Sequence, residues 1–272
     1  MIGASRVSMG AVRDSVDALF DTADAAALQA DGEALLSFAA LLDNERTLRL
    51  TLADPAMEPA AKGGLLQRLL EGKVPASALD LLTQIVSQRW SNDGDMVTAI
   101  TEAGQSLLLI SAEKSDRLDR VEEEIFRFGR IIDANPELQM ALTDPALSGE
   151  AKSNIVSSLL DGKADPITID LLKSATTELH GRPVNTVVGE LSQLAAQRRG
   201  RVVAEVRTAR PLTEEQTSRL EAALARIHNR DVQLNVTIDP SVIGGIEVRV
   251  GDEIVDGTLS TRIEAARRRL TH

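Results

Sequence analysis

The sequence predicts a mainly α protein, with two fused helical bundles from an internal duplication followed by a small α+β domain. Three observations carry this reading. Apolar residues fill 43% of the 272 positions, yet they include only four Phe, one Trp and no Tyr. The core is therefore built from Leu, Ile, Val and Ala, side chains that suit the narrow gaps between packed helices. A long segment recurs 90 positions further on without a gap. Near Gly200 the helical period gives way to strand-like alternation.

The repeat decides the architecture and comes first. GEALLSFAALLDNERTLRLTLADPAMEPAAKGGLLQRLLEGK begins at Gly32, and EEEIFRFGRIIDANPELQMALTDPALSGEAKSNIVSSLLDGK begins at Glu122. Phe38 matches Phe128, Asp43 matches Asp133, and Asp54-Pro55-Ala56 matches Asp144-Pro145-Ala146. Ala61-Lys62 matches Ala151-Lys152, Leu69-Leu70 matches Leu159-Leu160, and Gly72-Lys73 matches Gly162-Lys163. Asp80-Leu81-Leu82 then matches Asp170-Leu171-Leu172. Scattered Leu matches arise by chance; an ungapped series containing Asp-Pro and Gly-Lys does not.

Each copy reads as consecutive helices. Leu35, Phe38, Ala39 and Leu42 fall at helical spacing, as do Ile125, Phe128, Gly129 and Ile132. Asn135-Pro136 ends the second of these helices, because the residue before proline is pushed out of the α region. A short helix follows in each copy and stops at Asp54-Pro55 or Asp144-Pro145. Ser148 is placed as an N-cap, and Gly72 and Gly162 as C-terminal stops. Further helices are expected over 76–90, 95–112, 167–179 and 184–198. At the 90-residue offset the helix from Asp95 corresponds to the last helix of copy two and also to 5–20, the first helix of copy one. It is expected to close one bundle and open the next, giving domains at 1–108 and 109–200 that share the helix near 95–112.

The remaining part, 201–272, has a different period. A strand is expected over 201–209, then a helix opened by the capping box Thr213 to Gln216 and running to about His228, with Leu220, Leu224 and Ile227 on one face. Val232, Leu234, Val236 and Ile238 alternate with polar residues, as do Ile246, Val248 and Val250. Gly244-Gly245 precedes the latter strand and is expected to supply positive φ or close backbone approach. Gly251-Asp252 makes a tight turn into Ile254-Val255-Asp256, and a short helix is expected from about Ser260.

The segment VQLNVTIDPSVIGGIEVRVGDEIVDGTLSTRI resembles the C-terminal signature of the F-type ATP synthase delta subunit family, which includes the mitochondrial oligomycin-sensitivity-conferring protein. The matching positions are Asp239, Ile243-Gly244-Gly245, Val248, Val250-Gly251, Asp256-Gly257, Ser260 and Arg262. The resemblance implies a stator protein without catalysis or cofactor, on the cytoplasmic side of the cell membrane and held there only through its complex. By the same resemblance the helical part meets the alpha subunits of the catalytic head and the C-terminal domain meets the b-type peripheral stalk subunits. The alpha contact is expected in a groove walled by the first and last helices of a bundle, which in copy one carry Val12, Val16, Leu19, Val97 and Ile100. The usual family pattern has one helical bundle, and this chain has two. The alternative reading is an α-helical repeat adaptor unrelated to ATP synthase.

Other features argue against enzyme or nucleic-acid functions. The net charge of −11 opposes nucleic-acid binding, which needs a basic face. Zero cysteine removes disulfides, thiol catalysis and cysteine-held metal. No run approaches the roughly 18–20 apolar residues of a membrane span, and the first residues lack a signal pattern. The Gly-Lys pairs are not phosphate loops: a Walker loop needs Gly where Gln67 and Ser157 stand, and Ser or Thr where Val74 and Ala164 stand. His180, His228 and His272 are too scattered for a helical metal pair, and Trp90 and Phe20 read as core. Arg198, Arg199 and Arg201, and Arg267-Arg268-Arg269, either complement helix C-termini or dock acidic stalk helices. The purified chain is accordingly expected to give no calorimetric signal with ATP and magnesium; stoichiometric heat would overturn this reading.

Overall fold

The computed structural model describes residues 3–199, 202–228, 232–239, 242, 245–250 and 253–256. The chain divides into two compact units, Met1–Ala195 and Ala196–His272.

The first unit is helical. Its elements are α1 (Ala4–Thr22), α2 (Ala25–Asn44), α3 (Arg46–Ala53), α4 (Pro59–Leu70), α5 (Ala76–Ser87), α6 (Asp93–Lys114), α7 (Leu118–Ala134), α8 (Pro136–Thr143), α9 (Gly149–Leu160), α10 (Pro166–Thr177) and α11 (Val184–Arg198), which runs past the unit boundary. The bounds of α3, α4 and α5 recur in α8, α9 and α10 at the 90-position offset, residue for residue. Local chemistry explains the ends. The carboxylate of Asp24 and the amide oxygen of Asn92 accept from backbone N–H groups of the first turns of α2 and α6 at 2.8 and 2.7 Å, and Ser148 does the same for α9 at 3.2 Å. Pro59, Pro136 and Pro166 occupy first helical positions, where a missing N–H costs nothing. Gly72 and Gly162 take φ of 73° and 71° just beyond α4 and α9, the left-handed conformation that ends helices.

Two cores form. The first gathers Val12 and Val16 of α1, Leu28, Leu35, Phe38 and Leu42 of α2, Leu52, Leu66, Leu82 and Ile85, and Met96, Ile100 and Leu107 of α6. The second gathers Leu108, Leu109 and Ala112 of α6 with Val121, Ile125, Phe128 and Ile132 of α7, Leu142, Val156, Leu171, Leu172 and Leu191. Thus α6 feeds both cores, and Leu36 of α2 also reaches into the second.

The tightest packing is between α2 and α6. A Cβ built on Gly32 would stand 2.9 Å from the Gly104 carbonyl oxygen and 2.9 Å from Leu108 Cγ; one built on Gly104 would stand 2.9 Å from Leu36. Helix α2 has the length and mean hydropathy (1.3) of a membrane span, which corrects the reading that no run approaches one. Its apolar face is instead buried against α6 and the first core.

The second unit contains β1 (Val202–Thr208), α12 (Glu214–His228), β2 (Val232–Ile238), β3 (Ile246–Val250) and β4 (Glu253–Asp256) in the sheet order β2-β1-β3-β4. β1 and β2 are parallel, with α12 as the crossover, and β3 is antiparallel to both β1 and β4. Thr213 and Gln216 form the capping box: the Thr213 N–H donates to the Gln216 side-chain oxygen at 2.9 Å and the Gln216 N–H to the Thr213 hydroxyl at 3.2 Å. Leu220 and Leu224 pack on Ala204, Val206, Leu234, Val248 and Val250. Ile227 and Ile238, expected on the covered faces, are exposed. Each sits at the end of its element, beyond the mutual cover of helix and sheet. The expected helix from about Ser260 lies outside the described residues.

Gly32→Ala is expected to lower stability in urea unfolding by about 1–3 kcal/mol, because a backbone carbonyl must give way. Gly64→Ala in α4, where nothing lies within 4 Å, should raise it by about 0.5–1 kcal/mol through helix propensity.

Candidate interaction surfaces

The structure places the expected alpha-contact residues inside the molecule. Val12, Val16, Val97 and Ile100 are buried in the first core and Leu19 is half-buried against it. As packed, they join α1 to α6 and do not wall an open groove. The physical reason is that α1 has one apolar stripe, and helical spacing reads alike whether that stripe meets the protein's own core or a visitor. Helix α1 is pinned at its start by paired serines: the Ser91 N–H donates to the Ser5 hydroxyl at 2.8 Å, and the Ser8 hydroxyl donates to the Arg89 carbonyl at 2.7 Å.

Apolar surface lies elsewhere, and it repeats. Leu41 and Leu50 are 43% and 47% exposed, and their repeat counterparts Ile131 and Met140 are 46% and 66% exposed. Both copies thus present large aliphatic side chains at the same two register positions, one late in the long helix and one in the short helix after it. Scattered exposed hydrophobics are normal on any protein; recurrence at matched positions of two diverged copies is not expected by chance. The repeat itself was legible in the sequence, but which of its apolar positions stay uncovered was not.

A cleft of about 620 Å³ separates α2 from α9 and α10, and its lining includes Glu33, Asp43, Glu150, Asp170, Lys173 and Glu178. At its floor Glu178 is buried and accepts a 2.6 Å hydrogen bond from the Thr101 hydroxyl of α6. Burial raises the Glu178 carboxyl to about 7, with the nearby Asp43 charge acting in the same direction. Past α10, His180 (φ 50°) and Gly181 (φ 77°) turn the chain sharply. The His180 Nε2 lies 3.0 Å from Asp43 Oδ1, an attachment that raises the imidazole pKa. Among the described residues no group of three or more His, Asp or Glu is arranged to hold a metal.

In the α+β unit, Arg207 on β1 bonds the Asp239 carboxylate and reaches Glu247 of β3 at 3.3 Å, and the Asp239 N–H donates to the Thr208 carbonyl at 2.8 Å. Asp239 therefore locks the end of β2 to β1. Gly245 has φ 82°, the left-handed conformation expected at one of the two glycines. Asp256 ends β4 in register with Glu247. Gly244, Gly251, Gly257 and Arg262 lie outside the described residues.

Two packed helical cores, a small mixed sheet and surfaces that repeat between copies define a helical scaffold protein with an appended α+β domain. The ATP synthase delta (OSCP) subunit model matches residues 104–270. The subunit delta of ATP synthase from a Parafrankia species is 45% identical over 237 residues, covering 87% of this chain and 85% of the relative. That of Streptomyces griseus is 44% identical over 238 residues, covering 88% of each chain. Among solved structures, one chain from the Toxoplasma gondii mitochondrial ATP synthase hexamer is similar at TM-score 0.43 and 20% identity, over 62% of this chain and 95% of that one, a likeness too slight to carry argument. The chain belongs to the ATP synthase delta (OSCP) subunit family. The reading as an unrelated repeat adaptor is set aside by that membership.

Gly245→Val puts a β-branched side chain at positive φ and is expected to cost the α+β unit about 1–3 kcal/mol. Differential scanning calorimetry should show its transition moving down while that of the helical unit stays in place.

Proposed function

We propose that this chain is a non-catalytic stator subunit of a proton-translocating F-type ATP synthase, joining the catalytic head to the peripheral stalk on the cytoplasmic side of the cell membrane. The observation that carries this is the family match running from inside α6 through the α+β unit. In this reading the helical unit takes N-terminal helical segments of the alpha subunits, and residues 201–272 take the ends of the b-type subunits. Membrane association comes only through those partners. The chain contributes a rigid span that resists rotor torque, and no nucleotide, metal or nucleic acid takes part.

The domain reading belongs to the same proposal: a first bundle over 1–108 and a second over 109–200, with α6 common to both. The family match begins within α6 and takes in the second copy, which supports that copy as the counterpart of the family's single bundle. Copy one then adds reach or a second docking face. The recurrent exposed pairs, Leu41 with Leu50 and Ile131 with Met140, suit an amphipathic helix that inserts apolar anchors. They replace Val12, Val16, Leu19, Val97 and Ile100 as the side chains proposed to meet alpha segments.

Two measurements test this. Leu50→Glu and Met140→Glu should each leave the circular dichroism spectrum unchanged and together weaken binding of an alpha N-terminal peptide by about tenfold or more, the scale of one or two buried aliphatic anchors. Unchanged binding by the double variant would remove the proposed docking face. A chain ending at residue 200 should retain alpha binding and lose capture of the b-subunit end; retained b capture would overturn the assignment of the C-terminal unit.

A further inference from the structure

We propose that the contact between the two helical copies is a proton-operated latch, in which Glu33 and Asp43 of α2 share one cleft with Asp170 and Glu178 of copy two, so that proton uptake draws the copies together and proton loss lets them part. The proposal does not depend on the partners assigned above.

The geometry sets like charges across a seam. From α2 come Glu33 and Asp43, from α9 Glu150, and from α10 Asp170 and Lys173, with Glu178 directly after it. The remaining cations are at the margin. His180 holds Asp43 at 3.0 Å, Arg49 of α3 lies 3.9 Å from the same carboxylate, and Arg182 follows His180 in sequence. From α6 the seam receives neutral groups: Thr101 on Glu178 at 2.6 Å and Gln105 on Ser174 at 3.4 Å. Closing the cleft thus brings five carboxylates of the two copies together with Lys173 among them and His180 at the margin, with Glu178 already out of water.

Glu178, Asp170 and His180 are each shifted upward. Burial raises Glu178 to about 7 from 4.5, Asp43 adds to this, and His180 opposes it. Burial also raises Asp170, and the Glu33 charge adds to that. The bond to Asp43 raises His180 above its ordinary 6.5. A group whose pKa is higher in the closed state stabilises that state below its open-state pKa, and the contribution is lost as pH rises through the closed-state value. For Glu178 the window runs from 4.5 to about 7; for His180 it lies above 6.5. Closure is therefore favoured at pH 6 and weakened by pH 8. Because α6 runs unbroken through both copies, opening leaves each bundle joined and loosens only the cleft side of α10, whose Leu171 and Leu172 stay in the second core.

Hydrogen exchange on the full chain, corrected for intrinsic rates, tests the latch at pH 6 and pH 8. Protection of α9 and α10 amides should fall about tenfold, as follows for a carboxyl at about 7 when closed and 4.5 when open. The repeat counterparts α4 and α5 should hold their protection and serve as internal controls. Glu178→Gln should remove most of this fall, leaving only the smaller part that His180 contributes. Thr101→Val removes a hydroxyl that favours the ionised carboxylate and should move the midpoint to higher pH, a shift that a merely structural contact does not produce. Equal protection at both pH values in the wild-type chain, a fall shared by α4 and α5, or a fall undiminished in Glu178→Gln overturns the proposal. If Glu178→Gln does not fold, an unmoved midpoint in Thr101→Val overturns it.

Discussion

Gly32 of α2 and Gly104 of α6 bring two helix backbones into direct contact, and much of the helical unit's geometry follows. With no Cβ at either position, the Gly32 carbonyl oxygen approaches the place a Gly104 Cβ would take to 3.1 Å, and Leu36 and Leu108 fill the flanks. An approach this close fixes the height of one helix against the other as well as its distance, because knobs of ordinary size no longer set the spacing. Once α2 is seated there, Leu35, Phe38 and Leu42 point into the first core while Leu36 points into the second. Two glycines, one on α2 of copy one and one on the shared helix α6, thereby set how the cores are joined.

The copies have kept one backbone while changing what holds it together. In copy two a polar group links α7 to the start of α10. Arg117 pairs with Asp165 at 3.1 Å, Arg120 pairs with Glu124 at 2.8 Å, and Glu124 accepts from the Thr168 hydroxyl at 2.6 Å and the Asp165 N–H at 2.8 Å. The repeat positions in copy one are Ala27, Ala30, Pro75, Ala34 and Ala78, all small and without side-chain polarity. Such a change has to be concerted. One buried carboxylate left without its partner costs several kcal/mol, whereas the full set or none at all is tolerated. Copy one ties the same helix pair with a different contact, the Ser77 hydroxyl donating to the buried Asp31 carboxylate at 2.7 Å.

This divergence bears on what could be read in advance. The repeat, the capping box, the Asn135-Pro136 break and the glycine stops were legible because each is a local backbone requirement written in one or a few residues. Register alone led to the expectation of one helix serving both copies, and α6 side chains enter both cores. The fate of single apolar stripes was not. Val12 and Val16 look the same in sequence whether they face a core or a visitor, and their burial is decided by helices distant along the chain. The seam was hidden for a related reason. Asp43, Thr101, Glu178 and His180 are ordinary residues in sequence, and Asp43 lies far from the last two. Only the tertiary arrangement removes water from Glu178 and gives it a shifted proton affinity. Ile227 and Ile238 went astray because alternation predicts a face and says nothing of where the opposing layer ends.

The shared helix also has a thermodynamic consequence. From Leu107 to Ala112 every residue of α6 is buried, and along the helix Met96, Ile100, Ala103 and Leu107 are committed to the first core and Leu108, Leu109 and Ala112 to the second. A helix apolar on every side is stable only when covered on every side. The outer helices α1 and α11 are exempt, since each has a polar face. Trimming the chain to the matched residues 104–270 would expose one flank of α6, at about 1.5–3 kcal/mol for each large aliphatic side chain. A few such side chains amount to much of the stability of an ordinary domain. The duplication is therefore not a bundle with a removable extension. Side chains of α6 committed to each core tie the two copies together, while the α+β unit has a core of its own.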